Sequence, residues 1–324
     1  MSENREPLTI HEGQQLDKLF QELSRDFLSL VVPIIVTMFA AVLLSQVIPL
    51  SASSQLIQQI LLYTDQPNDD ATSRTLGSLL NAFILISITV LSTIIILFLY
   101  NKGCTSVLTG WFCFSAFIIF FVLGFYISLS FVKIYHIPID IISFIFVIFN
   151  FSVLGVAALF FIPNPDNHLT HFFLIVLSVF SVHFLSNLPK WSLFSFIILI
   201  SVYDIYSVLH SRGPLRHLTE AVSSSSSSSS FPGLVYVVRG QVLGLGDFFI
   251  YSLLAIQAYE YSFYSALLCI SAIITGLIIT LFVCSLLDRT MPALPISVFG
   301  GLLMLLLSVA WFSKGMTYRV FFAI

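Results

Sequence analysis

Apolar residues run along this chain in long blocks separated by short polar breaks, and nine of the blocks are long enough to cross a hydrocarbon core of roughly 30 Å as helices. They centre on Phe27–Pro49, Leu79–Tyr100, Val107–Leu129, Ile139–Phe161, Phe172–Asn187, Ser192–His210, Leu243–Ala258, Ser262–Leu287 and Leu294–Phe312. The expected fold is therefore an all-α polytopic membrane protein of nine transmembrane helices. Odd parity puts the two termini on opposite sides. Two connections exceed a simple turn. Ser51 to Ser78, with Asp65, Asp69 and Asp70 near its middle, reads as an exposed loop, and the segment after His210 holds an unbroken serine run, Ser223 to Ser230, which can bury nothing. This divides the chain into a tail (1–26), six spans (27–210), a loop with a serine-rich linker (211–242) and three further spans with the C-terminus (243–324). No internal repeat is visible, which argues against a transporter of inverted halves.

Composition sharpens the class. The 324 residues are 58% hydrophobic and 9% charged, with mean hydropathy +1.01, whereas soluble domains carry about 25% charged residues. A net charge of −3 with scattered charges excludes nucleic acid as a partner. Met1 to Asp26 is polar and mixed in charge, so no cleaved signal peptide is expected, and the first span should serve as the signal. With the N-terminus cytosolic and the C-terminus lumenal or extracellular, Arg5, Lys18, Arg25, Lys102, Arg212, Arg216, Arg239 and Arg289 fall on the cytosolic side. Arg74, Lys133, Lys190, Lys314 and Arg319 fall opposite, and this excess of positive charge inside favours that orientation. Cys104, Cys113, Cys269 and Cys284 have no metal-like spacing and read as packing thiols.

Two acids break the apolar pattern: Asp204, in Tyr203-Asp204-Ile205-Tyr206, and Asp247, in Gly244-Leu245-Gly246-Asp247-Phe248. A carboxylate at mid-helix in a bilayer costs roughly 2.5–3.5 kcal/mol, so an uncompensated pair implies a function. Asp204 comes late in the sixth span and Asp247 early in the seventh, which runs the other way. Both then lie in the cytosolic half of the membrane at similar depth. Two carboxyls in contact share one proton. The ionised one can take a proton from water while the protonated one polarises a peptide carbonyl, with no metal, cofactor or nucleophilic side chain required. Gly244 and Gly246 should permit non-helical torsions and close backbone approach ahead of Asp247, and irregular backbone at membrane depth implies a wet pocket. Pro292-Ala293-Leu294-Pro295 resists helix and should be extended, with free carbonyls able to pair with an unwound substrate.

Tyr203-Asp204, Gly244-Leu245-Gly246-Asp247-Phe248 and Pro292-Ala293-Leu294-Pro295-Ile296-Ser297, in that order, resemble presenilin, the catalytic subunit of γ-secretase. Leu188-Pro189-Lys190-Trp191, Gly213-Pro214-Leu215-Arg216 and Phe249-Ile250-Tyr251-Ser252 add to the likeness, which runs from about the first span to the C-terminus. The resemblance implies an intramembrane aspartyl protease with Asp204 and Asp247 as its catalytic pair. It implies a pocket drawn from Tyr203, Leu243, Gly244, Leu245, Gly246, Pro292, Ala293, Leu294 and Pro295. It also implies substrate-pairing strands at Val235 to Val238 and just before Gly244. Implied partners are single-span membrane substrates, nicastrin, a seven-span Aph-type subunit and the presenilin-enhancer subunit, in endoplasmic reticulum, Golgi, endosomal and plasma membranes. The chain departs from the family in two places. Phe231-Pro232-Gly233 leads almost directly to the glycine motif, without a long acidic loop, so activity without self-cleavage is expected; and Val242 stands where relatives often carry Lys.

The rival with the same chemistry is signal peptide peptidase, which shares these motifs but has the opposite orientation; Phe248 to Ser252, Pro295 to Ser297 and the charge count favour presenilin. A rival of another class is an ion or proton pathway, and a third is a scaffold. Other polar residues read as structural. His168 and His171 belong to a solvated turn after Asn164-Pro165-Asp166-Asn167, His183 to a packed, hydrogen-bonded core position, and Asp288-Arg289 to an interfacial charge pair. The sequon at Asn150 falls within a span and should be unmodified.

Overall fold

The computed structural model describes residues 31–48, 71–161, 168–209, 235–238, 241–287 and 294–321. These residues form nine helices and one hairpin: α1 (Val31–Val47), α2 (Ala71–Asn101), α3 (Thr105–Ile134), α4 (Ile141–Phe161), α5 (His168–Leu185), α6 (Lys190–Leu209), β1 (Val235–Val238), β2 (Gln241–Gly244), α7 (Leu245–Tyr259), α8 (Phe263–Leu287) and α9 (Leu294–Phe321). Among them, Thr75–Asn101, Thr105–Ile134, Ile141–Phe161, His168–Leu185 and Phe263–Thr280 are long and apolar enough to cross a membrane. Large apolar side chains such as Phe83, Ile94 and Phe98 on α2 and Ile141, Ile142 and Phe146 on α4 lie on the outside. A soluble protein does not present such a surface, whereas a lipid-embedded one does.

Each apolar stretch read from the sequence coincides with one helix, but several ends differ. Helix α2 begins at Ala71 and takes in the last part of the segment read as a loop; α5 begins at His168 and so includes His168 and His171, which are helical and not in a turn. Hydropathy marks where a helix meets lipid, while the helix itself propagates into polar residues because each added residue closes another hydrogen bond. The hairpin is a departure from all-α, and it moves the start of the seventh helix from Leu243 to Leu245. The serine run, Asp288-Arg289 and the N-terminal tail lie outside the described residues.

Tight turns between helices are set by local chemistry. At the end of α2, Gly103 takes φ +73°, its N–H bonds to Tyr100 O (2.9 Å), and Cys104 N–H reaches back to Leu99 O (3.1 Å). This left-handed cap favours glycine and turns the chain directly into α3. Asp140 caps α4 by accepting from Ser143 N–H (3.2 Å), and Ser262 caps α8 by accepting from Tyr264 N–H (3.3 Å).

Helix α7 lies at the centre. It packs against α5, α6, α8 and α9, and Phe248 and every residue from Ile250 to Ala258 are buried. Helices apolar on all sides belong in such a position. Beside it, Phe120 lies edge-on to Phe151 and Phe173. Gly155 provides the space, since a Cβ there would lie 2.8 Å from the Phe120 ring. Helices α8 and α9 approach most closely: a Cβ on Gly276 would lie 2.7 Å from Ser297 Cα, and the Cys269 thiol reaches Gly301 O at 3.5 Å. In lipid, close backbone approach through small residues supplies the association that water would otherwise drive.

Candidate active site

The geometry of the candidate site begins at the opposite end of its helices. Lys190, the first residue of α6, forms an ion pair through Nζ with Glu260 Oε2 at 2.9 Å, one residue past the end of α7. Helix α6 begins and helix α7 ends at this shared end, and the two helices touch. Asp204 follows Lys190 by fourteen residues, and Asp247 precedes Glu260 by thirteen. At 1.5 Å per residue they lie about 21 Å and about 20 Å from that end, level to within about one residue's rise.

A second connection brings α9 to the same depth. Tyr251, one turn beyond Asp247, shares a buried 3.0 Å hydrogen bond with Ser297 of α9. Because α8 runs between them, α7 and α9 are parallel. Counting back four residues from Tyr251 reaches Asp247, and counting back three from Ser297 reaches Leu294. The two positions are level to within about 2 Å. Gly276 fixes Ser297 from the other side, its bare Cα allowing the α9 backbone into contact.

The surroundings of Asp247 are open. Its side chain is partly exposed in the first turn of α7, where acidic groups meet the positive end of the helix dipole. Gly246 is exposed, and a Cβ there would meet nothing within 4 Å. Of the non-helical torsions expected at the two glycines, Gly244 has them as the last residue of β2, whereas Gly246 lies in helix α7 and does not. At Gly246 the missing side chain leaves space; it does not serve to free the backbone. Tyr203, beside Asp204, has a buried hydroxyl with no hydrogen-bond partner among the described residues.

Extended backbone lies directly before Asp247. Strands β1 and β2 pair antiparallel, with Val235 opposite Gly244, Tyr236 opposite Leu243, Val237 opposite Val242 and Val238 opposite Gln241. The second strand passes without a break into α7. Leu294 and Pro295, expected to be extended, instead open α9. Proline fits the first turn of a helix, where its missing N–H would have no intrahelical partner. Pro292 and Ala293 lie outside the described residues.

The structure does not draw the remaining polar candidates into this region. Asn150 lies inside α4 and donates to Phe146 O at 2.8 Å. His183 is 2% exposed, and neither ring nitrogen has a partner among the described residues, contrary to the hydrogen bond expected; it lines a small cavity with Tyr126 and Asn187. No group of metal-binding side chains occurs among the described residues. Sequence reading missed the Tyr251–Ser297 and Lys190–Glu260 links. The only signals were a tyrosine four residues after Asp247 and opposite charges in two short turns.

The fold and these motifs define a helical membrane protein with two acids at nearly equal helical distances from the ion pair that joins their helices. Comparison with known proteins gives the family: residues 21–242 and 237–314 match Presenilin, and the chain belongs to the presenilin family. It is similar to Presenilin-B of Dictyostelium discoideum, at 31% identity over 89% of this chain and 62% of that protein. A presenilin-like protein of Arabidopsis thaliana is 26% identical over 93% of this chain and 94% of its own length. A solved structure described as a presenilin family intramembrane aspartate protease has the same fold, with TM-score 0.57 at 15% identity over 87% of this chain and 98% of that one. The chain thus spans less than two thirds of the amoebal relative and nearly all of the plant one.

Proposed function

We propose that this protein is an intramembrane aspartyl endopeptidase in which Asp204 and Asp247 activate water to cleave the membrane span of single-span proteins. The observation that carries the reading is that the two acids lie fourteen and thirteen residues along their helices from the Lys190–Glu260 pair that joins them. One carboxylate takes a proton from water as its oxygen attacks the scissile carbonyl carbon, and the protonated partner gives its proton to the carbonyl oxygen. Collapse of the tetrahedral intermediate, with a proton delivered to the amide nitrogen, breaks the C–N bond and restores the shared proton. A substrate helix must unwind first, because a peptide carbonyl in a helix is already hydrogen-bonded.

The β1–β2 hairpin supports the role of a template for that unwound segment, since a two-stranded sheet has free edges that accept a third strand. Leu294 and Pro295, level with Asp247, and the pocket positions Tyr203, Leu243, Gly244, Leu245, Gly246, Pro292 and Ala293 complete the proposed substrate site. Nine spans with a cytosolic N-terminus, the partners nicastrin, Aph-type subunit and presenilin-enhancer, and residence in secretory and endosomal membranes belong to the same proposal. Because the connection between the aspartate helices is short, the chain is active uncut. An inhibitor that labels only two fragments divided between Asp204 and Asp247, and never the full-length chain, would contradict this.

The deciding experiment incubates detergent-solubilised protein, with candidate subunits, with a single-span substrate and a transition-state-analogue inhibitor of aspartyl proteases. Inhibitor-sensitive cleavage that disappears in Asp247→Asn is expected. Absence of cleavage, together with ion flux that survives loss of either aspartate, would favour the pathway reading instead.

A further inference from the structure

Lys190 and Glu260 lie about 20 Å from the aspartates along their helices, yet they are where the axial positions of those helices meet. We propose that this ion pair is a positioning device, which sets the register of α6 against α7 and so keeps Asp204 level with Asp247. The inference rests on the proposed catalytic pair.

Both partners are extensions of helical backbone. Glu260 N–H continues the α7 ladder to Ile256 O (3.1 Å), and Pro189 O, next to Lys190, accepts from Leu193 N–H (3.0 Å) to open α6. A shift at either residue therefore moves a helix along its axis, where a loop would absorb it. The ammonium is held twice by the same turn, at 2.9 Å by the Glu260 carboxylate and at 5.4 Å from the Tyr261 ring centroid. Glu260 is 19% exposed and Lys190 55%, so the acid is the fixed member and the lysine reaches to it. Two other side-chain bonds run to further helices: Asn81 Nδ2 donates to Ser192 Oγ (3.2 Å), joining α6 to α2, and Tyr251–Ser297 joins α7 to α9, against which α6 also packs. The Lys190–Glu260 pair ties the aspartate helices to each other.

Magnitudes separate this role from a stabilising one. A half-exposed ion pair contributes at most about 1 kcal/mol to stability. A slip of one residue along α6, however, moves a side chain about 1.5 Å and turns it by about 100°, and a misplacement of about 1 Å can cost about 100-fold in rate. A weak contact can thus govern the chemistry while contributing little to folding.

The test uses the full chain in membranes, with its four native cysteines replaced. In a D204C/D247C version, thiol cross-linking reads the alignment of the two positions without depending on activity, and it is measured with Lys190 and Glu260 intact, with K190E, with E260K and with the swap K190E/E260K. Cross-linking is expected in the intact and swapped proteins and to be several-fold slower in each single variant. With the aspartates restored, cleavage should fall at least several-fold in kcat in the single variants, with KM little changed, and recover in the swap. Equal cross-linking in all four backgrounds, or single losses that the swap does not recover, overturns the positioning role. Absence of cross-linking even with Lys190 and Glu260 intact overturns the apposition of the aspartates itself, and this inference with it.

Discussion

Asp204 and Asp247 act, in the proposed chemistry, as one unit with one proton. Asp→Ala or Asp→Asn at either position should therefore remove nearly all cleavage, and the double change should add little, because residues acting together are not additive. The pH profile of cleavage should be bell-shaped, since both the fully protonated and the doubly ionised pair lack one partner; a flat profile across the carboxyl range would count against a shared proton. Glycines provide a second check. Gly276→Ala drives a methyl into the Ser297 backbone at 2.7 Å and should destabilise the α8–α9 contact by about 1–3 kcal/mol. Gly246→Ala meets no protein atom within 4 Å, so it should leave thermal stability unchanged and lower cleavage by filling space that substrate needs. Equal melting shifts for the two variants would refute the distinction. The aspartates were legible in the sequence because a carboxylate within an apolar run has a high cost in lipid. Tyr251 and Ser297 were not, because a tyrosine and a serine in such runs are unremarkable until the fold joins positions 46 residues apart.

At the level of elements, apolar runs located the helices and misjudged their ends. Ala71 to Ser78 is helical without being apolar, and Leu243 is apolar without being helical. The proline motif misled for a related reason: Pro295 resists the interior of a helix, but at the start of one it removes a donor that has no partner. The resemblance to presenilin, in contrast, implied strands at Val235 to Val238 and before Gly244, and strands form there. Their role in cleavage is testable at Val242, which pairs with Val237. Val242→Pro removes a backbone N–H from this segment and is poorly tolerated in a paired strand. Cleavage should fall at least tenfold while expression and membrane insertion are retained; unchanged cleavage would rule out the hairpin as a template.

For the whole molecule, the family was legible because three short motifs kept their order across the chain, and that order does not depend on knowing where any helix ends. What sequence could not supply were the contacts between turns far apart in the chain, Tyr251–Ser297 and Lys190–Glu260, that hold the motifs at their depths. Depth also bears on the bilayer itself. The apolar part of α2, Thr75–Asn101, has 27 residues and is about 40 Å long, against a hydrocarbon core of about 30 Å. Its outer face carries Leu79, Phe83, Ile94 and Phe98, so neighbouring lipid must match it or the helix must tilt. Helix α2 packs along α6, so tilting one strains the helix that carries Asp204. Cleavage should therefore rise as the protein is reconstituted in lipids of increasing acyl-chain length, and an activity independent of chain length would show that α2 tilts freely. The long helix would then make the enzyme a gauge of its surroundings, weakly active in thin membranes and more active wherever sterol and long acyl chains thicken the bilayer, with no receptor or signal needed to tell it where it is.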